Sequence, residues 1–173
     1  VTVVWSVTVG GGSVTPATST TNAAGLAFAI WTLGTVAGSN AASAAIQGST
    51  TIPPVAFGAT GLAGQPSKLI FTVSPVTATA GAAISPAVQV TAQDALGNTV
   101  TNATTSITLA VTSGTGAAGV TLGGTPTRAT VSGIATFSDL TVDKAATGYT
   151  LTGSASGLTS ATSGAFAVNP GAA

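Results

Sequence analysis

The chain has 173 residues and carries only three basic and three acidic side chains, with a net charge of zero and no His, Cys or Met. Imidazole and thiolate groups supply most general bases, Cys nucleophiles and zinc ligands, and three scattered carboxylates fall short of the six to eight oxygens that calcium takes. Three cations also form no basic surface for nucleic acid. We therefore expect no enzyme, no catalytic residue, no cofactor, no metal site and no nucleic-acid partner.

The first predicted strand is Val1–Val9, in which every odd position is apolar. Alternation with a period of two is typical of a half-buried β-strand, and the run Gly10–Gly12 ends it as a turn. Trp5 lies on the apolar phase of this strand. Packing in the core is therefore the preferred role for Trp5, and an exposed aromatic platform for carbohydrate is the alternative.

Trp31 belongs to a second apolar segment of the first half. It shares its phase with Ala27, Ala29 and Leu33, opposite Phe28 and Ile30. This pattern predicts that Trp31 lies on the outer face of the domain, or in an interface if the protein polymerises.

Alternating segments recur through the second half, and Gly and Asn clusters separate them. They are Leu69–Val73, Val88–Ala92, Ile107–Val111, Tyr149–Leu151 and Phe166–Val168. Short β-branched strands at such spacing favour an all-β sandwich over a fold with alternating helices. The Ala-rich stretch Ala41–Ala45 is the segment where a strand is least supported by composition. No segment is predicted to span a membrane as a helix.

An internal repeat divides the chain. The run Gly25-Leu26-Ala27 matches Gly133-Ile134-Ala135 at an offset of about 108 residues, and two further matches keep a similar offset. A duplicated domain is the simplest cause. We predict two tandem domains, residues 1–64 and residues 66–170, joined by a short linker that Pro66 stiffens.

The first domain is predicted to lack its N-terminal strands. In the second domain, strands at residues 68–74 and 87–93 precede the strand at residues 106–112, whereas the first domain begins at the counterpart of that third strand. Two absent strands would uncover on the order of 400–600 Å² of apolar surface, worth about 10–15 kcal/mol. Residues 1–64 should therefore not fold alone, and the missing strands must come from upstream sequence or from a neighbouring subunit.

Tyr149 stands at the start of a predicted strand, two residues before Leu151. A Tyr at such a corner of an immunoglobulin sandwich bonds its hydroxyl group to nearby backbone, and this structural role is preferred over stacking on a sugar.

The few charged residues are read as turn or surface groups. Asp94 opens the segment Asp94–Asn98, which has ordinary turn chemistry and offers one carboxylate only, so we expect a turn and not a calcium loop. Asp139, Asp143 and Lys144 are predicted to form a solvated turn or a weak surface pair.

Several longer motifs resemble those of a known family. They are Trp5–Thr8, Thr20–Gly25, Trp31–Gly34 and Phe57–Gly61 in the first half, and Leu69–Val73, Asp94–Asn98, Gly133–Leu140 and Gly148–Leu151 in the second. Together they resemble bacterial immunoglobulin-like domains of the invasin and intimin type, which occur in large surface and adhesin-like proteins. The resemblance implies tandem β-sandwiches at the bacterial cell surface or outside the cell, acting as stalks, spacers or adhesive tips.

Two functions remain open at this point. The first is a structural extracellular subunit, a stalk or a filament protomer, that associates with itself in a covalent tandem array or by β-strand addition. The alternative is an adhesin or carbohydrate-binding module with a glycan or host-surface ligand. An enzyme would require chemistry elsewhere in a larger polypeptide.

Overall fold

The computed structural model describes residues 1–171, and every regular element in this range is a β-strand. No helix long and apolar enough to cross a membrane occurs within that range. The chain forms two compact units: unit 1 is Val1–Ala63, and unit 2 begins at Gly64. The prediction of an all-β fold is confirmed.

Unit 1 consists of two β-sheets. Its strands are β1 (Thr2–Val9), β2 (Gly12–Thr15), β3 (Thr18–Thr20), β4 (Ile30–Leu33), β5 (Gly38–Ile46) and β6 (Val55–Gly61). One sheet has the order β3-β1-β5-β6, and β2 pairs with β4 in the other; all pairs are antiparallel. The Ala-rich stretch 41–45 lies within β5, because hydrogen bonds to β1 on one side and β6 on the other hold it extended.

Unit 2 contains twelve strands in four small sheets. They are β7 (Lys68–Val73), β8 (Thr77–Thr79), β9 (Val88–Gln93), β10 (Ser106–Val111), β11 (Leu122–Gly123), β12 (Thr127–Ala129), β13 (Ile134–Phe137), β14 (Thr141–Val142), β15 (Ala146–Tyr149), β16 (Leu151–Ser154), β17 (Ala161–Thr162) and β18 (Phe166–Asn169). The sheet orders are β12-β10-β16-β17, β13-β9-β7, β15-β18-β8 and β11-β14. Only the strand pair β18–β8 is parallel among these ladders.

The two units share a strand arrangement. The order β3-β1-β5-β6 of unit 1 repeats as β12-β10-β16-β17 in unit 2, and the pair β2–β4 corresponds in position to β11–β14. Strands β7, β8 and β9 come before β10, and unit 1 has no counterpart of them before β1. In unit 2, β9 is the central strand of a three-stranded sheet and pairs with β13 on one side and β7 on the other.

The presence of β9 decides where a closed core forms. In unit 2, alternate residues of β9, Val88, Val90 and Ala92, are fully buried, as are Ile107 and Phe137 from neighbouring strands. In unit 1, Ala42 is the only hydrophobic residue that is buried among those described. Unit 1 therefore has the strands of a sandwich but lacks a layer that covers its interior.

Candidate strand-binding groove

An apolar groove lies between the two sheets of unit 1. Its volume is about 350 Å³. Residues from both sheets and from the segment before β4 line it: Trp5, Val14, Ala27, Phe28, Ala29, Trp31, Ala42 and Phe57. The groove is open to solvent because no strand covers it within residues 1–171, and Phe57 remains 44% exposed.

Trp5 forms one side of the groove. Its ring centroid lies 6.2 Å from that of Phe57, at an interplanar angle of 39°. The indole N–H of Trp5 donates a hydrogen bond of 2.8 Å to the hydroxyl oxygen of Ser19 on β3. The predicted inward orientation of Trp5 is confirmed, although the interior that it faces is uncovered.

Trp31 faces the same groove from β4, where it pairs with Val14 of β2. The shared phase of Trp31, Ala27 and Ala29 is confirmed, because all three line the groove while Ile30 is 74% exposed. Of the two predicted positions, the outer face is wrong. In β4, Ile30 points outward, whereas Trp31 in the opposite phase reaches the space between the sheets.

The indole N–H of Trp31 has no hydrogen-bond partner among the described residues, although the nitrogen is inaccessible to solvent. A buried indole N–H normally has an acceptor. The Trp31 indole N–H is therefore an unsatisfied donor in unit 1.

An unpaired backbone segment borders the groove. Residues 26–29 belong to no ladder, and within residues 1–171 the backbone groups of Ala27, Phe28 and Ala29 make no hydrogen bond. The turn that precedes them is fixed by Asn22, whose side-chain oxygen accepts from the N–H groups of Ala24 and Leu26 at 2.9 and 3.0 Å. The segment is thus positioned at one end and free along its edge.

The matching segment of unit 2 is β13, and it is fully paired. Ile134, Ala135, Thr136 and Phe137 lie opposite Thr91, Val90, Gln89 and Val88 of β9. A paired edge and a buried core therefore accompany each other in unit 2, and both are missing in unit 1.

Tyr149 occupies a corner of unit 2. Its side chain is fully buried, and its hydroxyl group donates to the carbonyl oxygen of Lys144 at 2.8 Å and accepts from the N–H of Ala117 at 3.2 Å. The ring lies 5.7 Å from that of Phe166. The predicted backbone-bonding corner is confirmed, and stacking of Tyr149 on a sugar is wrong because the ring is inaccessible.

Asn40 is the buried polar residue near the start of β5 in unit 1, and sequence reasoning did not identify it. Its side-chain oxygen accepts from the N–H of Gly34 at 3.2 Å, and its side-chain nitrogen donates to the carbonyl of Gly38 at 3.1 Å. In both units a glycine with positive φ packs against the corner side chain: Gly10 against Asn40, and Gly116 against Tyr149.

The carboxylate of Asp94 is occupied by protein donors. One oxygen accepts from the N–H groups of Leu96 and Asn98, and the other accepts from the side-chain amide of Asn98 and the N–H of Gly64, all at 2.8–3.0 Å. The side-chain amide of Asn98, followed by the N–H of Gly64, lowers the pKa of Asp94 to about 2. The predicted turn is confirmed. Within residues 1–171 no three His, Cys, Asp or Glu side chains cluster as metal ligands.

The other charged groups pair differently from the sequence-based prediction. Asp139 forms its ion pair with Arg128, at 3.1 Å, and accepts a 2.6 Å hydrogen bond from the Thr125 hydroxyl group. Lys144 donates instead to the carbonyl of Ala118 at 2.9 Å. Asp139 therefore leaves the predicted group, because β12 brings Arg128 close to it, whereas Asp143 and Lys144 lie at an exposed bend where the charge of Lys144 helps to lower the pKa of Asp143.

Hydrogen bonds also shift the pKa of these two surface carboxyls. The Thr125 hydroxyl group lowers the pKa of Asp139. The backbone N–H of Thr121, at 2.8 Å, lowers the pKa of Asp143. Both carboxyl groups therefore accept hydrogen bonds that connect them to the segment containing Thr121 and Thr125.

The chain matches no protein-family model and no curated protein sequence. Its fold is similar to that of the Escherichia coli adhesin FdeC, with a TM-score of 0.50, 22% identity, and coverage of 98% of this chain and 52% of that one. The Yersinia pseudotuberculosis adhesin InvE has a TM-score of 0.43 and 20% sequence identity, and the match covers 96% of this chain and 48% of InvE. A β-glycosidase from Bacteroides vulgatus has a TM-score of 0.49 and 15% sequence identity, and the match covers 97% of this chain and 21% of the glycosidase.

The chain spans about half the length of the two adhesin structures and about a fifth of the glycosidase. The similarity to FdeC extends over both units. The chain has the all-β, immunoglobulin-like sandwich fold that the sequence predicted.

Proposed function

We propose that this chain is a structural segment of an extracellular bacterial surface protein, a stalk or a filament subunit, in which unit 1 is completed by β-strands from outside residues 1–173. The observation that supports the proposal is the open groove beside the backbone of residues 27–29, which is unpaired within residues 1–171. An exposed strand edge is a template for pairing with another strand. Strand addition at such an edge satisfies the backbone and covers the apolar groove together.

The contrast between the units supports an added strand as the missing part. Unit 2 buries its core with β9, whereas unit 1 leaves Leu26, Phe28 and Ile30 more than half exposed and buries almost no aliphatic side chain. Burial of the missing apolar area, on the order of 400–600 Å², contributes about 10–15 kcal/mol, which is comparable with the stability of a whole domain.

The surface chemistry suits a mechanical role outside the cell. Exposed faces are bridged by pairs of hydroxyl groups, such as Thr108 with Thr127 and Ser6 with Ser43, each at 2.9 Å. Cross-strand pairs of this kind contribute to sheet stability without net charge. Because a surface with so little charge has little electrostatic repulsion between molecules, it favours packing into an array.

The source of the strands is tested by measuring assembly and exchange together. Sedimentation velocity of the 173-residue chain over a range of concentrations is combined with hydrogen exchange of the amides at residues 26–29. Oligomers in which these amides become protected would indicate donation by a neighbouring subunit. A monomer with unprotected amides, which gains protection when a covalently attached N-terminal extension supplies the strands, would indicate that donation within one chain completes unit 1.

One result would contradict both sources. A fragment of residues 1–64 that is monomeric, unfolds cooperatively and protects the amides of residues 26–29 would show that unit 1 needs no added strand.

The second candidate is an adhesin or carbohydrate-binding module. Two tryptophans line one groove, and aromatic rings are common platforms for sugars, so Trp5 and Trp31 favour this candidate specifically. A glycan array with the unchanged chain and with Trp31→Ala tests it. Glycan binding that is lost in Trp31→Ala and leaves the amides of residues 26–29 unprotected would favour the adhesin over the structural subunit.

A further inference from the structure

We propose that the groove of unit 1 binds one extended peptide strand in a fixed direction and register, antiparallel to Leu26–Ala29, with small aliphatic side chains at alternate positions pointing between the sheets. This inference rests on the proposed function and specifies the partner of the same groove. The partner is a strand of the β9 type, and the other possible occupants, a glycan and a small apolar molecule, are outcomes of the test.

The direction follows from the repeat. The sequence Gly133-Ile134-Ala135 leads into β13, which runs antiparallel to β9, and Gly25-Leu26-Ala27 leads into the unpaired segment of unit 1. Equivalent backbone geometry offers equivalent hydrogen-bonding edges. Ala135 lies opposite Val90, so Ala27 takes the residue of the added strand that corresponds to Val90.

The register fixes which side chains enter the groove. In β9 the inward residues are Val88, Val90 and Ala92, each with no exposed surface. A shift by one residue would turn them to the opposite face. The same alternation in the added strand brings three small aliphatic side chains between the sheets of unit 1.

The lining of the groove suits small side chains and a close backbone. The rings of Trp5, Trp31 and Phe57 already occupy much of the space between the sheets, while Ala27 and Ala29 leave the bordering edge free of bulky groups. A charged side chain at an inward position would be buried without a counterion, because no charged residue lines the groove.

Trp31 distinguishes a peptide from a purely apolar occupant. Its indole N–H is inaccessible to solvent and has no acceptor within the described part of the chain. A peptide strand carries carbonyl oxygens along its length and supplies an acceptor once the indole ring turns its N–H toward the groove, whereas a hydrocarbon leaves the donor unsatisfied. We infer that Trp31 is a positioning residue for the added strand.

The test adds the strand to the same polypeptide. Residues 86–94 of this chain, which contain β9, are fused ahead of Val1 through a Gly-Ser linker as long as the segment 95–105 that leads from there to β10. Tethering raises the effective concentration of the strand to about the millimolar range, so weak intrinsic affinity does not conceal binding. The control fusion carries Asp in place of the residue that corresponds to Val90, and the other residues are unchanged.

The expected result is site-specific. In the fusion, the amides of Ala27 and Ala29, which correspond to Ala135 and Phe137 of β13, become protected from hydrogen exchange and the tryptophan emission shifts to shorter wavelength, and neither change occurs in the Asp control. The free peptide of residues 86–94, added to the 173-residue chain, binds and is weakened about 2- to 12-fold by Trp31→Phe, which retains an aromatic ring but removes the N–H donor.

Three outcomes would overturn the inference. The fusion and its Asp control could protect the amides of Ala27 and Ala29 equally, the fusion could leave these amides unprotected, or Trp31→Phe could leave the affinity for the peptide unchanged. Occupation of the groove by a glycan or a detergent with no protection of the edge would identify a different occupant. The proposed function fails separately, when unit 1 is stable and protected with no strand added.

Discussion

The hydroxyl group of Tyr149 donates a hydrogen bond of 2.8 Å to the carbonyl oxygen of Lys144, five residues earlier in the chain. The same hydroxyl oxygen accepts from the N–H of Ala117, so one buried side chain connects two loops of unit 2. We expect Tyr149→Phe to lower the free energy of unfolding of unit 2 by about 1–3 kcal/mol, because two backbone groups lose their partner.

Urea denaturation followed by circular dichroism measures this change. The matched control is Thr136→Val, which removes an exposed hydroxyl group and should alter stability by less than about 0.5 kcal/mol. Equal effects of the two substitutions would mean that the corner does not stabilise unit 2.

Gly114 and Gly116 lie in the loop that packs near Tyr149, and substituting each in turn distinguishes the cost of backbone strain from the cost of steric overlap. Gly114 has a φ of 79° and Gly116 a φ of 68°, but only Gly116 would place a Cβ atom against the ring of Tyr149. We expect Gly114→Ala to cost about 1–2 kcal/mol from backbone conformation, and Gly116→Ala to cost about 1–3 kcal/mol more, because the buried ring cannot move freely.

Thermal unfolding of both variants checks this prediction. The double variant Gly116→Ala with Tyr149→Phe completes a double-mutant cycle. The methyl group introduced at position 116 still overlaps the aromatic ring in it, because Phe retains the ring. A Gly116→Ala variant no less stable than Gly114→Ala would contradict the packing of the loop on Tyr149.

Asp94 makes unit 2 sensitive to acid. Hydrogen bonds in the folded state, first from the Asn98 side chain, lower the pKa of Asp94 to about 2, whereas an unfolded chain has a value of about 3.9. The unfolded state therefore binds more protons between these values. The stability from Asp94 is present above about pH 4 and is lost as the pH falls through about 2.

Urea midpoints of unit 2 from pH 7 to pH 2 measure the effect in the unchanged chain and in Asp94→Asn. The difference between the two chains should shrink below pH 4, because Asn does not titrate. Asp139 and Asp143 also have lowered pKa values and act in the same direction, so only the difference between the chains reports on Asp94. A difference that is independent of pH would refute the prediction.

Because the groove of unit 1 is open, we expect truncation of an apolar side chain to reduce stability less in unit 1 than in unit 2. Leu109→Ala in unit 2 removes a side chain that is 2% exposed and should cost about 2–5 kcal/mol. Phe57→Ala in unit 1 removes a larger side chain that is 44% exposed, yet it should change the stability of the 173-residue chain by less than about 1 kcal/mol, because water already reaches the ring.

Differential scanning calorimetry compares the two variants. When a strand is added to unit 1 as described above, the cost of Phe57→Ala should increase to the range expected for a buried aromatic residue, about 3–5 kcal/mol. A large cost for Phe57→Ala in the chain without the added strand would show that the groove is closed in solution.

Local patterns were sufficient for much of this protein. The period of two along residues 1–9 and 107–111 predicted strands, and the absence of His and Cys limited the available chemistry before any fold was known. The turn at Asp94 and the corner at Tyr149 were also predictable, because each depends on hydrogen bonds to backbone close by in the sequence.

The placement of Trp31 required the tertiary structure. The segment around β4 is apolar on both faces, so alternation showed that Trp31 and Ala29 share a face but not which face turns inward. The ion pair of Arg128 with Asp139 likewise depends on strands that meet only in the folded chain.

The sequence by itself determined the strands, the repeat and the class of fold, because these follow from local alternation and turn residues. Only the tertiary structure decided that unit 1 is open, since burial depends on whether another layer covers a face. That face carries Trp5 and Trp31 and borders residues 27–29, whose backbone is unpaired within residues 1–171.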